Sequence, residues 1–129
     1  MTRLFWLAAA VVAVVPAVSA HHSFSAEYFE DRTVSIEGEV EEFRYRNPHA
    51  WVMLRVQQAD GSMATYGAEW AGAGRLGRQG ITADTIKPGD RVRIDGSPGR
   101  VEAERRIHLK GIERPADGWS WAQRNRRRR

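Results

Sequence analysis

The chain has 129 residues, a formal net charge of +4 and no cysteine. The lack of cysteine excludes disulfide bonds, thiolate zinc sites and cysteine nucleophiles, so core packing alone must stabilise the fold. The positive charge is local, because residues 21–113 contain 13 Lys or Arg against 15 Asp or Glu, whereas residues 114–129 contain six arginines. Residues 21–113 are therefore mildly acidic, which argues against nucleic acid as a partner.

The first 20 residues have the layout of a secretory signal peptide. Arg3 supplies one positive charge, an apolar run extends from Leu4 to Val15, and Val18-Ser19-Ala20 provides small residues before the expected cleavage site. The apolar run is too short to cross a bilayer comfortably, which argues against the alternative of an uncleaved membrane anchor. We therefore expect a periplasmic or secreted protein with no stable membrane span after cleavage.

Cleavage at that site leaves a chain long enough for one small domain and not for two. We place the signal peptide at residues 1–20 and the domain at residues 21–113. Residues 114–129 lack apolar periodicity and are rich in arginine. We predict that they form a disordered tail.

Three strands are predicted in the first part of the domain, at about 33–45, 49–56 and 63–70. In each, apolar and polar residues alternate with a period of two, which is typical of a strand with one buried face. Asn47-Pro48 interrupts the alternation between the first two strands, and Asp60-Gly61 is a hairpin signal before the third.

The alternation is lost from Ala71 to Gln79, where we predict a short helix that ends at Gly80. Two further strands follow, at about 91–96 and 104–113. An order of three strands, one helix and two strands predicts a mainly β fold, a small five-stranded barrel of the oligonucleotide/oligosaccharide-binding (OB) type with the helix between strands 3 and 4. An open β-sandwich with an irregular crossover fits the same order.

The histidines suggest a metal site. Cleavage after Ala20 would make His21 the first residue, and its α-amine and imidazole can together chelate a metal. His49 follows the proline turn, which places it near a mouth of the barrel. We predict that His21 and His49 supply three nitrogen donors, with His22 or His108 as a substitute or a fourth ligand. Such nitrogen donors favour copper as the cofactor.

The aromatic residues near the new N-terminus are expected to dock this segment onto the barrel, namely Phe24, Tyr28 and Phe29. In the competing interpretation, the terminus is solvated and its two histidines are only polar residues. His49 is then a turn residue whose imidazole forms a hydrogen bond with nearby backbone. His108 lies between Arg106 and Lys110 on the outward face of the fifth strand, where we expect it to face solvent.

Trp51, Trp70, Tyr45 and Tyr66 offer a possible ligand surface, but a small barrel needs aromatic side chains to fill it, so we expect them to pack in or beside the core. No nucleophile motif, paired carboxylates or phosphate loop is found, so we expect no enzyme and assign no catalytic residue. A copper-dependent oxidase is the remaining enzymatic alternative. Glu69, beside Trp70, is a candidate acid or base in a cleft, although a carboxylate at the end of a strand is usually only hydrated.

Three segments are similar to a family of short exported bacterial proteins catalogued as a domain of unknown function. These are His21-His22-Ser23-Phe24, the segment from Tyr45 to Val52 with Asn47-Pro48-His49 at its centre, and the segment from Lys87 to Val92. The resemblance covers about residues 21–113 and implies an exported single-domain protein without an assigned activity.

Two functions are compatible with this sequence. The first is a small exported binding protein that delivers or sequesters a copper ion. The second is a non-metal envelope interaction module, whose barrel face binds a peptide, a saccharide or an envelope protein. The sequence defines neither the partner nor the oligomeric state.

Overall fold

A computed structural model describes residues 23–124 of the chain. It contains six strands, two short helices and a 3₁₀ turn at Glu102–Glu104. In chain order the helices and strands are α1 (Phe24–Glu27), β1 (Val34–Arg44), β2 (Trp51–Gln57), β3 (Met63–Glu69), α2 (Ala73–Gly77), β4 (Arg91–Pro98), β5 (Arg106–Arg114) and β6 (Trp119–Ala122).

The first five strands form a closed barrel. β1 pairs antiparallel with β2 and β4, β2 pairs with β3, and β4 pairs with β5. A parallel ladder between β3 and β5 then closes the circle, with Ala68 opposite Ile107 and Glu69 opposite His108. The predicted five-stranded OB-like barrel is therefore confirmed, and the open sandwich is not formed.

A bulge in β1 lets this long strand contribute buried side chains along its whole length while it bends around the barrel. Its register against β2 shifts between Val40 and Glu42, so the inward positions change from even to odd residue numbers. Val40 is buried before the bulge and Phe43 packs against the core after it. The long strand can thereby bend around the barrel without turning its apolar side chains to solvent.

The core is apolar and continuous through the barrel. Its largest side chain is Trp70, which is 1% exposed, and Leu76 of α2 is fully buried with it. Tyr45 fixes α2 against the barrel, because its hydroxyl, a single donor, lies within hydrogen-bond distance of the carbonyl oxygens of Ala73 at 2.9 Å and Ile81 at 2.8 Å. The predicted helix between strands 3 and 4 is confirmed, although it is shorter than predicted.

The predicted disordered tail is wrong for residues 114–124. This segment contains β6, which pairs with the second half of β5. Ion pairs of Arg114 help to hold this segment in place. Its Nη1 lies 2.8 Å from Oδ2 of Asp90, and its Nη2 lies 2.9 Å from Oδ2 of Asp117. Trp119 and Trp121 also pack against the barrel core. Residues 125–129 lie outside the described part of the chain.

The short helix α1 was not predicted, and its four residues carry no helical periodicity in the sequence. Within residues 23–124, no helix has the length and apolar character needed to cross a bilayer.

Candidate functional site

A cleft of about 430 Å³ opens at one end of the barrel. We call it the histidine cleft, because both histidines of the described chain line it. The residues around it come from α1, the β1–β2 loop, the connection between β3 and α2, α2 itself, β5, and β6 with the residues just after it. The lining side chains that matter for its chemistry are Phe24, Asn47, His49, Trp70, His108 and Trp121.

The Asn-Pro-His turn is held against the start of α2. The side-chain oxygen of Asn47 accepts a hydrogen bond from the backbone N–H of Gly74 at 3.1 Å. Gly72 allows this close approach, since a Cβ atom there would lie 2.4 Å from the carbonyl oxygen of Pro48. The turn therefore has a fixed position, and it presents His49 at the mouth of the cleft, as the sequence predicts.

His49 belongs to a chain of three hydrogen-bonded side chains. Its Nδ1 lies 2.6 Å from Oε1 of Glu69, and the other oxygen of that carboxylate accepts a hydrogen bond from the hydroxyl of Tyr28. Tyr28 is fully buried. Burial and the adjacent Glu69 raise the pKa of Tyr28 far above its usual value, so the phenol remains a hydrogen-bond donor.

His108 has a carboxylate partner of its own. Its Nδ1 lies 2.7 Å from Oε1 of Glu30, whose second oxygen is 3.2 Å from Nζ of Lys110. Partial burial opposes ionisation of Glu30, but hydrogen bonds from His108 and Lys110 outweigh this effect and lower the pKa of Glu30.

The expected solvent exposure of His108 is wrong, because this residue is only 8% exposed. The His108 side chain points away from the barrel core, but the N-terminal segment covers this side chain. The ring of Phe24 stacks on the His108 imidazole with centroids 3.8 Å apart, and Tyr28 lies beside it at 5.6 Å.

Phe24 contacts both histidines of the cleft. Its ring centroid is 5.1 Å from that of His49 and 3.8 Å from that of His108. Backbone hydrogen bonds from Phe29 to Pro98 and from Arg100 to Glu27 attach the same segment to the barrel. The prediction that aromatic residues dock the N-terminal segment is confirmed.

The two histidines share one chemical arrangement. In each, Nδ1 faces a carboxylate, which favours the tautomer with the proton on Nδ1 and leaves the lone pair on Nε2. Carboxylates orient metal-binding imidazoles in this manner. Within residues 23–124, however, no three His, Asp or Glu side chains converge as a metal site. His21 and His22 lie outside the described residues.

The aromatic side chains proposed as a ligand surface have mostly structural roles. Trp70 is in the core, and Tyr45 and Tyr66 pack against it. Trp51 is half-buried, and the guanidinium of Arg106 lies 5.5 Å from its ring centroid.

Sequence reasoning missed two residues of the site, Glu30 and Trp121. Trp121 contacts Trp70 edge to face at 4.9 Å and donates from Nε1 to Gln79 at 2.7 Å. The period of two in Trp119-Ser120-Trp121 is the signal that indicates this strand. Glu30 has no local signal, because its partners lie in β5.

Comparison with known proteins places the chain in a family but gives it no activity. No curated protein matches it. A model described as a family of unknown function, DUF6152, matches residues 9–107. The match covers most of the chain, including the strands of the barrel up to the start of β5 and all of the Asn-Pro-His turn. The chain therefore belongs to the DUF6152 family.

Proposed function

We propose that this is an exported binding protein that holds one copper ion at the mouth of the histidine cleft. The observation that supports the proposal is the position of Phe24 against both His49 and His108. It anchors the N-terminal segment beside two imidazoles that are already oriented by carboxylates.

Chain length then limits where a processed N-terminus can lie. His21 precedes Phe24 by three residues, and three extended residues span at most about 11 Å. An N-terminus created by cleavage after Ala20 would therefore remain within reach of the cleft. Its amine and imidazole, together with Nε2 of His49, would provide the three nitrogen donors, with His22 or His108 as a further ligand.

Copper fits this donor set better than the other common metals. Neutral nitrogen donors suit copper, whereas calcium and magnesium prefer oxygen, and copper(II) has the highest affinity among the divalent first-row metals. Glu69 and Glu30 would orient the imidazoles of His49 and His108. Each carboxylate accepts a hydrogen bond from Nδ1, which leaves Nε2 of the same ring free to bind the metal. The His49 side chain is 31% exposed, which suits a site that exchanges metal during delivery or sequestration.

The second candidate is a non-metal interaction module. The histidine cleft has the size of a small-molecule site, and aromatic side chains stand beside the polar Asn47 and Gln123. A peptide or saccharide from the cell envelope would use the same surface without requiring a free N-terminus.

Copper(II) titration of matched forms separates the two candidates. One form begins at His21 with a free α-amine, and in the second this amine is acetylated, which blocks the chelating amine but retains every side chain. We expect acetylation and His49→Gln each to weaken copper binding by more than about tenfold, or 1.4 kcal/mol. Met63→Ala, at an exposed position of β3, is the control and should bind like the parent.

Electron paramagnetic resonance of the copper-loaded protein gives an independent result. We expect nitrogen hyperfine structure from at least three donors in the form with the free amine at His21, and from fewer donors in the acetylated form. Equal copper affinity and equal spectra in both forms would overturn the proposal and favour the interaction module.

A further inference from the structure

A second cleft, of about 440 Å³, shares no lining residue with the histidine cleft. It lies between the start of β1, the segment after α1, and the connection from β4 to β5. We call it the arginine cleft. Its volume falls within the range of small-molecule sites.

The floor of the arginine cleft is apolar. Ile36, Tyr66 and Ile107 line it from three strands of the barrel, and Val34 and Val101 stand at its edge. Val34 is 38% exposed and Val101 is 54% exposed, and both are among the few large hydrophobic side chains that the described residues leave open to solvent. An exposed apolar patch inside a concavity is typical of a binding surface.

The wall of this cleft is positively charged. Arg32, Arg100, Arg105 and Arg106 line it, against a single lining carboxylate, Glu102. Arg106 is paired with Glu27 and Glu104. Within residues 23–124, the other three arginines have no carboxylate within 4.0 Å, so their charge is not compensated by an ion pair of that part of the chain.

Two of these guanidinium groups are held on the same aromatic ring. Arg32 lies 4.1 Å and Arg100 4.6 Å from the ring centroid of Phe29. Arg100 also donates from Nε to the backbone carbonyl of Ser25 at 2.9 Å. Stacking restricts both side chains, which reduces the entropy lost when a ligand binds to them.

Arg105 adds backbone strain at the same place. It has φ 48° and ψ 54°, a left-handed conformation that disfavours residues with a Cβ atom. Its carbonyl accepts a hydrogen bond from Gly67 at 3.0 Å, which fixes this geometry. Strained residues of this kind concentrate at ligand-binding positions.

We propose that the arginine cleft binds a small organic carboxylate that carries an apolar chain. Arg32 and Arg100 bind the carboxylate through their planar donor groups. The apolar chain lies on Val34, Ile36 and Val101. Neither part of the proposal depends on a metal or on the histidine cleft.

Titration with octanoate, followed by NMR of the methyl groups, tests the proposal. We expect octanoate to shift the methyl signals of Val34, Ile36 and Val101. Octylammonium, which has the same chain and the opposite charge, and acetate, which lacks the chain, should each bind about tenfold more weakly or worse. Equal binding of octanoate and octylammonium, or shifts centred on the histidine cleft, would overturn the proposal.

Variants of the arginines separate binding from structure. Arg32→Gln combined with Arg100→Gln should weaken octanoate binding about tenfold or more, whereas Arg75→Gln, at an arginine that lines the histidine cleft, should leave it unchanged. Arg105→Gly relieves the backbone strain, so it should raise stability against urea while it weakens octanoate binding. Unchanged binding in the double variant would contradict the proposal.

Binding to a membrane surface is the competing explanation of the same charges. Sedimentation with phosphatidylglycerol vesicles tests it. Capture by vesicles that requires Arg32 and Arg100, without octanoate binding, would replace the small carboxylate by a lipid surface and so overturn the proposal.

Discussion

The ring of Phe24 lies parallel to the imidazole of His108, with an interplanar angle of 1° and centroids 3.8 Å apart. This contact fixes the N-terminal segment beside the histidine cleft. We predict that Phe24→Ala lowers the free energy of unfolding by about 1–2 kcal/mol, because a half-buried aromatic stack is lost.

The same Phe24→Ala substitution should weaken copper binding, since the N-terminal segment is no longer anchored near His49. Urea unfolding and copper titration measure the two effects. Phe24→Leu, which preserves apolar contact without the aromatic ring, should have an intermediate effect on stability. A Phe24→Ala variant that keeps full copper affinity would show that the anchor is unnecessary.

The buried hydroxyl of Tyr28 is expected to contribute measurably to stability. Tyr28→Phe removes the donor to Glu69, and we predict a loss of about 1–2 kcal/mol in the free energy of unfolding. Tyr66→Phe is the matched control, because its hydroxyl makes only a long contact of 3.4 Å to Gln58 and should cost less than about 0.5 kcal/mol. Similar losses in both variants would contradict this interpretation.

Gly72 is required by the packing of the Asn-Pro-His turn. In Gly72→Ala the new Cβ would meet the carbonyl oxygen of Pro48 at 2.4 Å, so the turn must move. We predict a loss of about 2 kcal/mol or more in stability, together with weaker copper binding. Chemical denaturation and copper titration are the measurements.

Gly74→Ala provides the control for that prediction. A Cβ at Gly74 would have its nearest contacts at 3.8 Å and 3.9 Å, which is ordinary packing distance, and the residue lies within α2. The substitution should be neutral or should stabilise the protein by up to about 1 kcal/mol. If both alanine variants unfold alike, the steric argument fails.

The contacts of Glu30 with His108 and Lys110 predict that stability depends on pH. Because the pKa of Glu30 is lower in the folded protein than its ordinary value of 4.5, the ionised group stabilises the fold above about pH 4.5. This contribution is lost as the pH falls through the lowered folded value. The Glu30→Gln variant should therefore be less stable than the parent at neutral pH, and the difference should disappear in acid.

NMR titration of the Glu30 carboxylate and urea unfolding at several pH values measure this effect. Lys110→Met removes one of the partners that favour ionised Glu30, so the pKa of Glu30 should rise in that variant while His108 still binds it. A constant stability difference between the parent and Glu30→Gln across the acid range would contradict the assignment.

β6 is expected to contribute to stability through Trp121. Trp121→Ala removes the edge-to-face contact with Trp70 and the hydrogen bond to Gln79, and we predict a loss of about 2 kcal/mol in thermal or urea unfolding. Gln79→Ala removes the hydrogen bond alone and should cost about 1 kcal/mol. Wild-type stability of Trp121→Ala would show that β6 is dispensable.

The barrel could be predicted from the sequence because its strands alternate clearly. Val52, Leu54 and Val56 mark the buried face of β2, and the same period recurs in the other strands of the barrel. The tail could not be predicted as easily. Its arginine-rich composition outweighed the short alternation around Trp119 and Trp121, which is stabilised only by pairing with β5.

The candidate site was predictable only in part. His49 is recognisable because it follows a proline turn at the end of a strand, whereas its link to Tyr28 depends on contacts between distant segments. The burial of His108 was predicted incorrectly for the same reason. Strand alternation identifies the face that leaves the core, but it contains no information about another segment that covers this face.

The parallel pairing of Glu69 with His108 links the closure of the barrel to the site. These residues are distant in the sequence, so bringing them together carries an entropic cost of chain closure. The carboxylate that supports His49 and the second imidazole, His108, therefore come side by side only when β3 meets β5. An ion bound at the histidine cleft, as proposed above, would favour this assembled arrangement. It should slow unfolding and raise the melting temperature, and the increase should be larger the more tightly the ion binds the native state.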